Sequence, residues 1–163
     1  MEKYDIIFES NRLYFIKMTD SLIDEYLKMY NDPEIQKTLF RDTFTSEEIL
    51  RWLKNQLLNK EACIFSIMEK NTNKYIGNVE IIIKDNIGEI VISITPEEQD
   101  KHFGTEAIKS IIEYGYNTIG LEELVLNVYK TNERAIHCYQ NMGFSIDGEG
   151  ITEEEIIMWH HRK

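Results

Sequence analysis

The sequence predicts an α/β fold: a mixed, mostly antiparallel central sheet with flanking helices and one parallel strand pair. Three observations carry this. Two stretches in the first third place apolar residues at helical spacing, three β-rich runs stand close together in mid-chain, and a strand–helix–strand order follows Pro96.

Leu13-Tyr14-Phe15-Ile16 reads as a first strand. Thr19 or Asp20 caps a helix to Tyr30, whose stripe is Leu22, Ile23, Tyr26, Leu27 and Tyr30. Thr45-Ser46-Glu47-Glu48 is a capping box that opens a helix through Leu57. Strands follow over 63–68, 75–84 and 89–95. Asn71-Thr72-Asn73 and Asp85-Asn86-Ile87-Gly88 are the turns between them, so the three form an antiparallel meander. Pro96 ends the third strand because it has no N–H for the ladder. A helix over 104–119 repeats Ala107, Ile108, Ile111, Ile112 and Ile119 at helical spacing. A short apolar strand over 124–128 and a helix over 132–142, stopped by Gly143, come next. Residues 144–147 and 155–159 close the chain as a hairpin across Gly148 and Gly150. Strand, helix, strand in that order implies a right-handed crossover between parallel strands.

The length of 163 residues suits one domain spanning 1–163. An apolar fraction of 42% is too high for a disordered chain. The formal net charge of −11 argues against nucleic acid, which needs a basic surface, and fits a cationic partner as well as simple solubility. No apolar block has the length of a signal peptide or a membrane span, and two cysteines, Cys63 and Cys138, make no disulfide framework. The expectation is a cytoplasmic protein with no membrane association. His137-Cys138 and His160-His161 lack metal-ligand spacing, so no metal is expected. The run Glu153-Glu154-Glu155 reads as a solvated edge that could also line an acceptor site.

The loop from Pro96 to Thr105 joins a strand to a helix, and its last amides can converge on one point at the positive end of the helix dipole. Such a point binds phosphate, and Lys101 adds a cation there. Taken alone, this reads first as an ordinary connection. In the later helix Asn132 is a good cap, and Tyr139, seven positions on, shares its face. Taken alone, each reads first as structure: a capping residue and a half-buried core tyrosine.

Together the two segments resemble the GNAT superfamily of acetyl-CoA-dependent N-acetyltransferases. Its cofactor motif, [Gln/Arg]-x-x-Gly-x-[Gly/Ala], reads here Gln99-Asp100-Lys101-His102-Phe103-Gly104. Its later motif, Asn-x-x-Ala-x-x-x-Tyr-x-x-x-Gly-Phe, is matched in full from Asn132 to Phe144. The opening Asn11-Arg12-Leu13-Tyr14-Phe15 is similar to the ribosomal-protein (RimJ/RimL) and spermidine N-acetyltransferase branch. The departure is His102, which stands where the family has a glycine that lets the backbone approach the pyrophosphate.

The resemblance implies acetyl-CoA as cosubstrate and a parallel, splayed strand pair at the cofactor site. It implies cofactor contacts from Ile92, Ser93, Ile94, Gln99, Lys101, His102, Phe103, Gly104, Thr105, Asn132, Arg134 and Tyr139. Tyr139 would protonate the leaving thiolate, and Glu89, with Glu80 second, would be the general base unless an ordered water serves. The expected acceptor is a small cationic amine, a polyamine foremost. An N-terminal protein acetyltransferase of ribosomal-protein type, an aminoglycoside acetyltransferase and a non-catalytic acyl-CoA-binding module stay open. Family members are often dimers, which allows a homodimer. Acceptor-contacting loops are expected over 31–44 and 147–155.

Overall fold

The computed structural model describes residues 4–37, 45–149 and 152–162. Strands β1 (Ile6–Glu9) and β2 (Leu13–Lys17) lead into helices α1 (Ile23–Tyr30), α2 (Pro33–Gln36) and α3 (Ser46–Leu58). Strands β3 (Ala62–Glu69), β4 (Tyr75–Lys84) and β5 (Ile87–Ile94) follow. Then come α4 (Phe103–Glu113), β6 (Glu123–Tyr129), α5 (Glu133–Asn141), β7 (Ser145–Glu149) and β8 (Glu155–His161). The strands form one sheet in the order β1-β2-β3-β4-β5-β6-β8-β7. β1–β2, β2–β3, β6–β8 and β7–β8 pair antiparallel, and β5–β6 pair parallel. This is the mixed sheet the sequence predicts.

The chain divides into two compact units, one of residues 1–80 and 92–107, the other of 81–91 and 108–163. The first buries Ile16, Tyr26, Ile35 and Leu53 completely or nearly so. Its helix α3 opens as expected: the Thr45 hydroxyl accepts from Glu48 N–H, and the Glu48 carboxylate accepts from Thr45 N–H, both at 3.1 Å. α1 is shorter than predicted. The Thr19 hydroxyl pairs with that of Ser21 instead of capping, and residues 20–22 wind as a 3-10 turn. α2 and β1 were not anticipated; α2 starts because the Asp32 carboxylate accepts Glu34 N–H and Pro33 fits the first helical position.

In the second unit Leu124, Leu126, Val128 and Met158 are buried on one face of β6 and β8. The turn before β5 is tighter than predicted. Asp85 and Asn86 both take left-handed backbone (φ 53° and 63°), the demand of a two-residue hairpin, so Ile87 and Gly88 belong to the strand. Gly88 must be small: a Cβ there would lie 2.7 Å from Leu121 and 2.8 Å from Ile81. The helix expected over 104–119 ends at Glu113, and residues 114–119 widen into a π turn closed by left-handed Gly120. That wide turn brings the Tyr116 hydroxyl to His160 Nδ1 at 2.7 Å. The β7–β8 hairpin forms as predicted but shifts register between Ile146 and Glu149; Gly150, and 38–44 of the expected acceptor loop, lie outside the described residues. No helix among the described residues is long and apolar enough to cross a membrane.

Candidate active site

The 96–105 loop is fixed by its own polar groups. Gln99 Nε2 donates to the Ile94 carbonyl at 2.9 Å, so this predicted cofactor residue ties the loop to the end of β5. Lys101 and Lys74 both pair with the buried Glu98, at 3.0 and 2.9 Å. Their hydrogen bonds hold the Glu98 carboxyl below its usual range, and the Lys101 charge is thereby partly matched. Asp100 and His102 both adopt φ of 66°, a left-handed course in which a side chain is disfavoured. The family glycine at the position of His102 thus has a backbone reason, and His102 meets it with an exposed side chain.

The first bond of α4 runs from Glu106 N–H to the His102 carbonyl, so the amides of Phe103 and Gly104 precede the helical ladder. A Cβ built on Gly104 would meet only Ile94, at 3.9 Å, leaving its backbone approachable. An eleven-residue helix whose first amides lie ahead of its ladder suits an anionic group at that end. The residues present therefore fit a pyrophosphate. Of the other predicted contacts, Thr105 is half-buried, and the Ser93 hydroxyl donates to the Tyr30 hydroxyl at 3.1 Å between half-buried Ile92 and Ile94.

A second network holds this loop from the β1–β2 turn. Arg12 Nη1 donates to the Lys101 carbonyl at 3.0 Å, and Arg12 Nε donates to Glu106 Oε1 at 2.7 Å. Glu106 Oε2 accepts from Arg12 N–H at 2.7 Å and from the Ser10 hydroxyl. The Arg12 guanidinium lies 4.3 Å from the Phe103 ring centroid. Burial pushes the Glu106 carboxyl up, but the Ser10 and Arg12 donors outweigh it, and the net shift is downward.

In the second unit, β5 and β6 pair only from Ile87↔Glu123 to Glu89↔Val125, although both strands continue. Strand alternation puts Glu89, Asn127 and Glu155 on one face of three neighbouring strands. Asn127 Nδ2 donates to Glu89 Oε2 at 3.4 Å. Burial, then the charge of Glu155, raises the Glu89 carboxyl above its usual range. Glu155 itself is 1% exposed, which corrects the solvated-edge reading for this residue while Glu153 and Glu154 are exposed. Pairing opposite Tyr129 draws it into the sheet. Burial raises its carboxyl, Thr152 offsets part of that with a 3.3 Å hydrogen bond, and the charge of Glu154 adds to the rise. Glu155 Oε2 and Asn127 Oδ1 have no protein hydrogen-bond partner among the described residues. Glu80, the second candidate base, is fully buried beside Tyr26, Tyr30 and Tyr75, whose phenols are raised by burial first and by its charge.

Asn132 caps α5, its Oδ1 accepting from Ala135 N–H at 3.2 Å, and Arg134 is exposed in the first turn. Tyr139 leans on the edge of Phe144, centroids 6.0 Å apart. Burial, with a smaller contribution from Cys138, pushes its phenol up to about 12. It is therefore a neutral proton carrier at ordinary pH. No group of three or more His, Cys, Asp or Glu set to hold a metal ion occurs among the described residues.

The profile of the GNAT acetyltransferase domain matches residues 12–145. The chain belongs to the GNAT acetyltransferases. This GNAT chain is 41% identical over 80 residues to the spermidine N(1)-acetyltransferase of Escherichia coli K12. That match covers 47% of the chain and 43% of the relative, so it spans under half of the relative's length. It is 29% identical over 126 residues to the spermidine N(1)-acetyltransferase of Vibrio cholerae, covering 76% and 73%. Among solved structures, the Vibrio cholerae spermidine N-acetyltransferase in complex with CoA and spermine superposes with a TM-score of 0.83 at 20% identity, covering 93% and 96%. A domain from Methanocaldococcus jannaschii does so with a TM-score of 0.81 at 19% identity, covering 93% and 99%. Likeness at that identity establishes the fold.

Sequence reasoning singled out Glu89, Tyr139 and the loop, but missed Asn127 and the brace from Arg12 to Glu106. Asn127 had a signal, a polar residue inside Leu-Val-Leu-Asn-Val. Arg12 and Glu106 had none, being 94 residues apart.

Proposed function

We propose that this GNAT chain transfers an acetyl group from acetyl-CoA to a primary amine of a small cationic acceptor, a polyamine foremost. The observation that carries the reading is the pair of groups with complementary proton affinities: Tyr139, a half-buried neutral phenol, and Glu89, a half-buried carboxyl raised toward neutrality. An amine of ordinary pKa ~10.4 arrives as ammonium. Glu89 takes one of its protons, which frees the lone pair for attack on the thioester carbon. Tyr139 gives its proton to sulfur as the carbon–sulfur bond breaks, and regains one from the nitrogen. The sum is ammonium plus acetyl-CoA to amide plus CoA thiol, with one proton passing from Glu89 to water.

In the same reading the amides of Phe103 and Gly104, with Gln99, Lys101, His102 and Thr105 around them, receive the pyrophosphate. The backbone of Ile92, Ser93 and Ile94 is offered to the pantetheine amides, Asn132 holds the turn before α5, and Arg134 supplies a cation. A polyamine is favoured by the net charge of −11 and by relatives named spermidine acetyltransferases. A single domain over 1–163 and a cytoplasmic setting, in keeping with two free cysteines, belong to the same proposal.

The test is thiol release from acetyl-CoA with spermidine, and mass spectrometry of the product. Thiol and monoacetylated amine in equal amounts are expected. Tight CoA binding with no transfer to spermidine, an aminoglycoside or a peptide N-terminus would replace this reading with a non-catalytic acyl-CoA-binding module.

A further inference from the structure

We propose that Arg12 is a positioning residue for the cofactor, holding the 100–102 turn in a left-handed course that the turn's own residues resist. The inference rests on the reading that this loop receives the pyrophosphate of CoA. Asp100 and His102 both stand at φ of 66° with one residue between them. Asp and His tolerate that region better than most side chains, yet glycine alone enters it without steric cost. Gln99 and Lys101 tie the loop to the Ile94 carbonyl and to Glu98, and neither of those bonds reaches the peptide between the two left-handed residues.

A distant segment holds that peptide. One guanidinium reaches three parts of the turn: the carbonyl of Lys101 between the two left-handed residues, the ring of Phe103 just after them, and the carboxylate of Glu106 one helical turn on. Glu106 is itself held by Arg12 N–H and the Ser10 hydroxyl, so the brace is anchored at both ends. Only a forked planar cation serves all three points; an ammonium on a flexible stem serves one at a time. Without the brace, Asp100 and His102 can relax toward negative φ. That rotation turns the peptide planes on either side of Lys101 and re-aims the amides of Phe103 and Gly104. The loss falls on a ligand that meets those amides, so it is a loss of pyrophosphate affinity. The brace compensates for the absence of glycine at His102.

Titration calorimetry with CoA on the full chain tests this, comparing wild type, Arg12→Lys, His102→Gly and the double variant. S-acetylpantetheine, which lacks the pyrophosphate and nucleotide, serves as second cosubstrate in the thiol-release assay with spermidine. Arg12→Lys is expected to weaken CoA binding by about tenfold or more, about 1.4 kcal/mol, while KM for S-acetylpantetheine stays within about twofold. His102→Gly alone is expected to change CoA affinity by less than about threefold. Added to Arg12→Lys it is expected to recover at least about threefold, because glycine follows the left-handed course unaided. Glu106→Gln, which keeps the shape but loses the charge-assisted bond, is the second variant and is expected to move CoA affinity the same way. Additive effects without rescue overturn the proposal. So does an equal loss for CoA and S-acetylpantetheine, which would mark a general loss of structure. A wild-type chain that binds no CoA overturns it together with the cofactor reading; a chain that binds CoA and shows the rescue but acetylates no amine sustains it while removing the proposed activity.

Discussion

The loop braced by Arg12 and the sheet face carrying Glu89 treat their carboxylates in opposite ways. Around the loop, Glu98 and Glu106 are enclosed by cations and N–H or O–H donors, and both are shifted downward. On the sheet face, burial outweighs hydrogen bonding, and Glu89 and Glu155 are shifted upward. Ionised, well-donated carboxylates hold backbone in place. Under-donated carboxylates, raised in proton affinity, are the ones better able to take up a proton. Within one strongly acidic chain, the donors supplied to each carboxylate separate the structural acids from those available for chemistry.

The largest effect should come from the proton-handling side. Tyr139→Phe is expected to lower turnover by roughly 10²–10⁴-fold, with CoA affinity unchanged by calorimetry. Equal turnover would leave the phenol as packing against Phe144. Glu89→Gln should follow, with turnover down by about 10²-fold. Because the Glu89 carboxyl is raised, the wild-type rate should climb with pH through that raised value, and the variant should lose the climb. An intact ascending limb would point to a water or to Glu80.

The next test sets the two regions against each other through the pH dependence of stability. Glu106 has a depressed value in the fold, so its contribution is full above its unfolded value and disappears as pH falls through the folded one. Glu106→Gln should therefore cost about 1–3 kcal/mol at pH 7, and less at pH 3, by chemical denaturation. Glu155 has a raised value, so its contribution is full below its unfolded value and is lost as pH rises through the folded one. Glu155→Gln should accordingly be neutral or stabilising at pH 7 and lose that advantage in acid. The same pH trend in both variants would erase the distinction. The smallest effect is His102→Gly, expected to raise stability by at most about 1 kcal/mol, since relief of the left-handed strain is offset by the flexibility glycine adds to the unfolded chain.

What the sequence disclosed was local. The Thr45–Glu48 capping box, the Asn132 cap, β4 and the crossover could be read because each signal lies within a few residues of its effect. The π turn after α4 stayed hidden because Tyr114–Ile119 continues an apolar helical pattern, and its geometry follows from Tyr116 reaching His160. Glu155 looked solvated because a run of three glutamates looks solvated in any short window; only its place opposite Tyr129 buries it. His102 was recognised as a departure from the family motif, but its backbone conformation and the brace that sustains it depend on Arg12, far away in sequence.

The contact between Tyr116 and His160 clasps one residue at two points. The phenol has one hydrogen, and it donates to the His160 carbonyl at 2.9 Å. His160 Nδ1 lies 2.7 Å from the same oxygen, so the backbone and the ring of one residue meet one phenol. The ring is thereby held with its Nε2 edge toward Gly143, where a Cβ would stand 3.0 Å from that nitrogen. A side chain at that glycine would press on the ring and through it on the phenol, so the small residue before Phe144 keeps room for the clasp that closes the π turn.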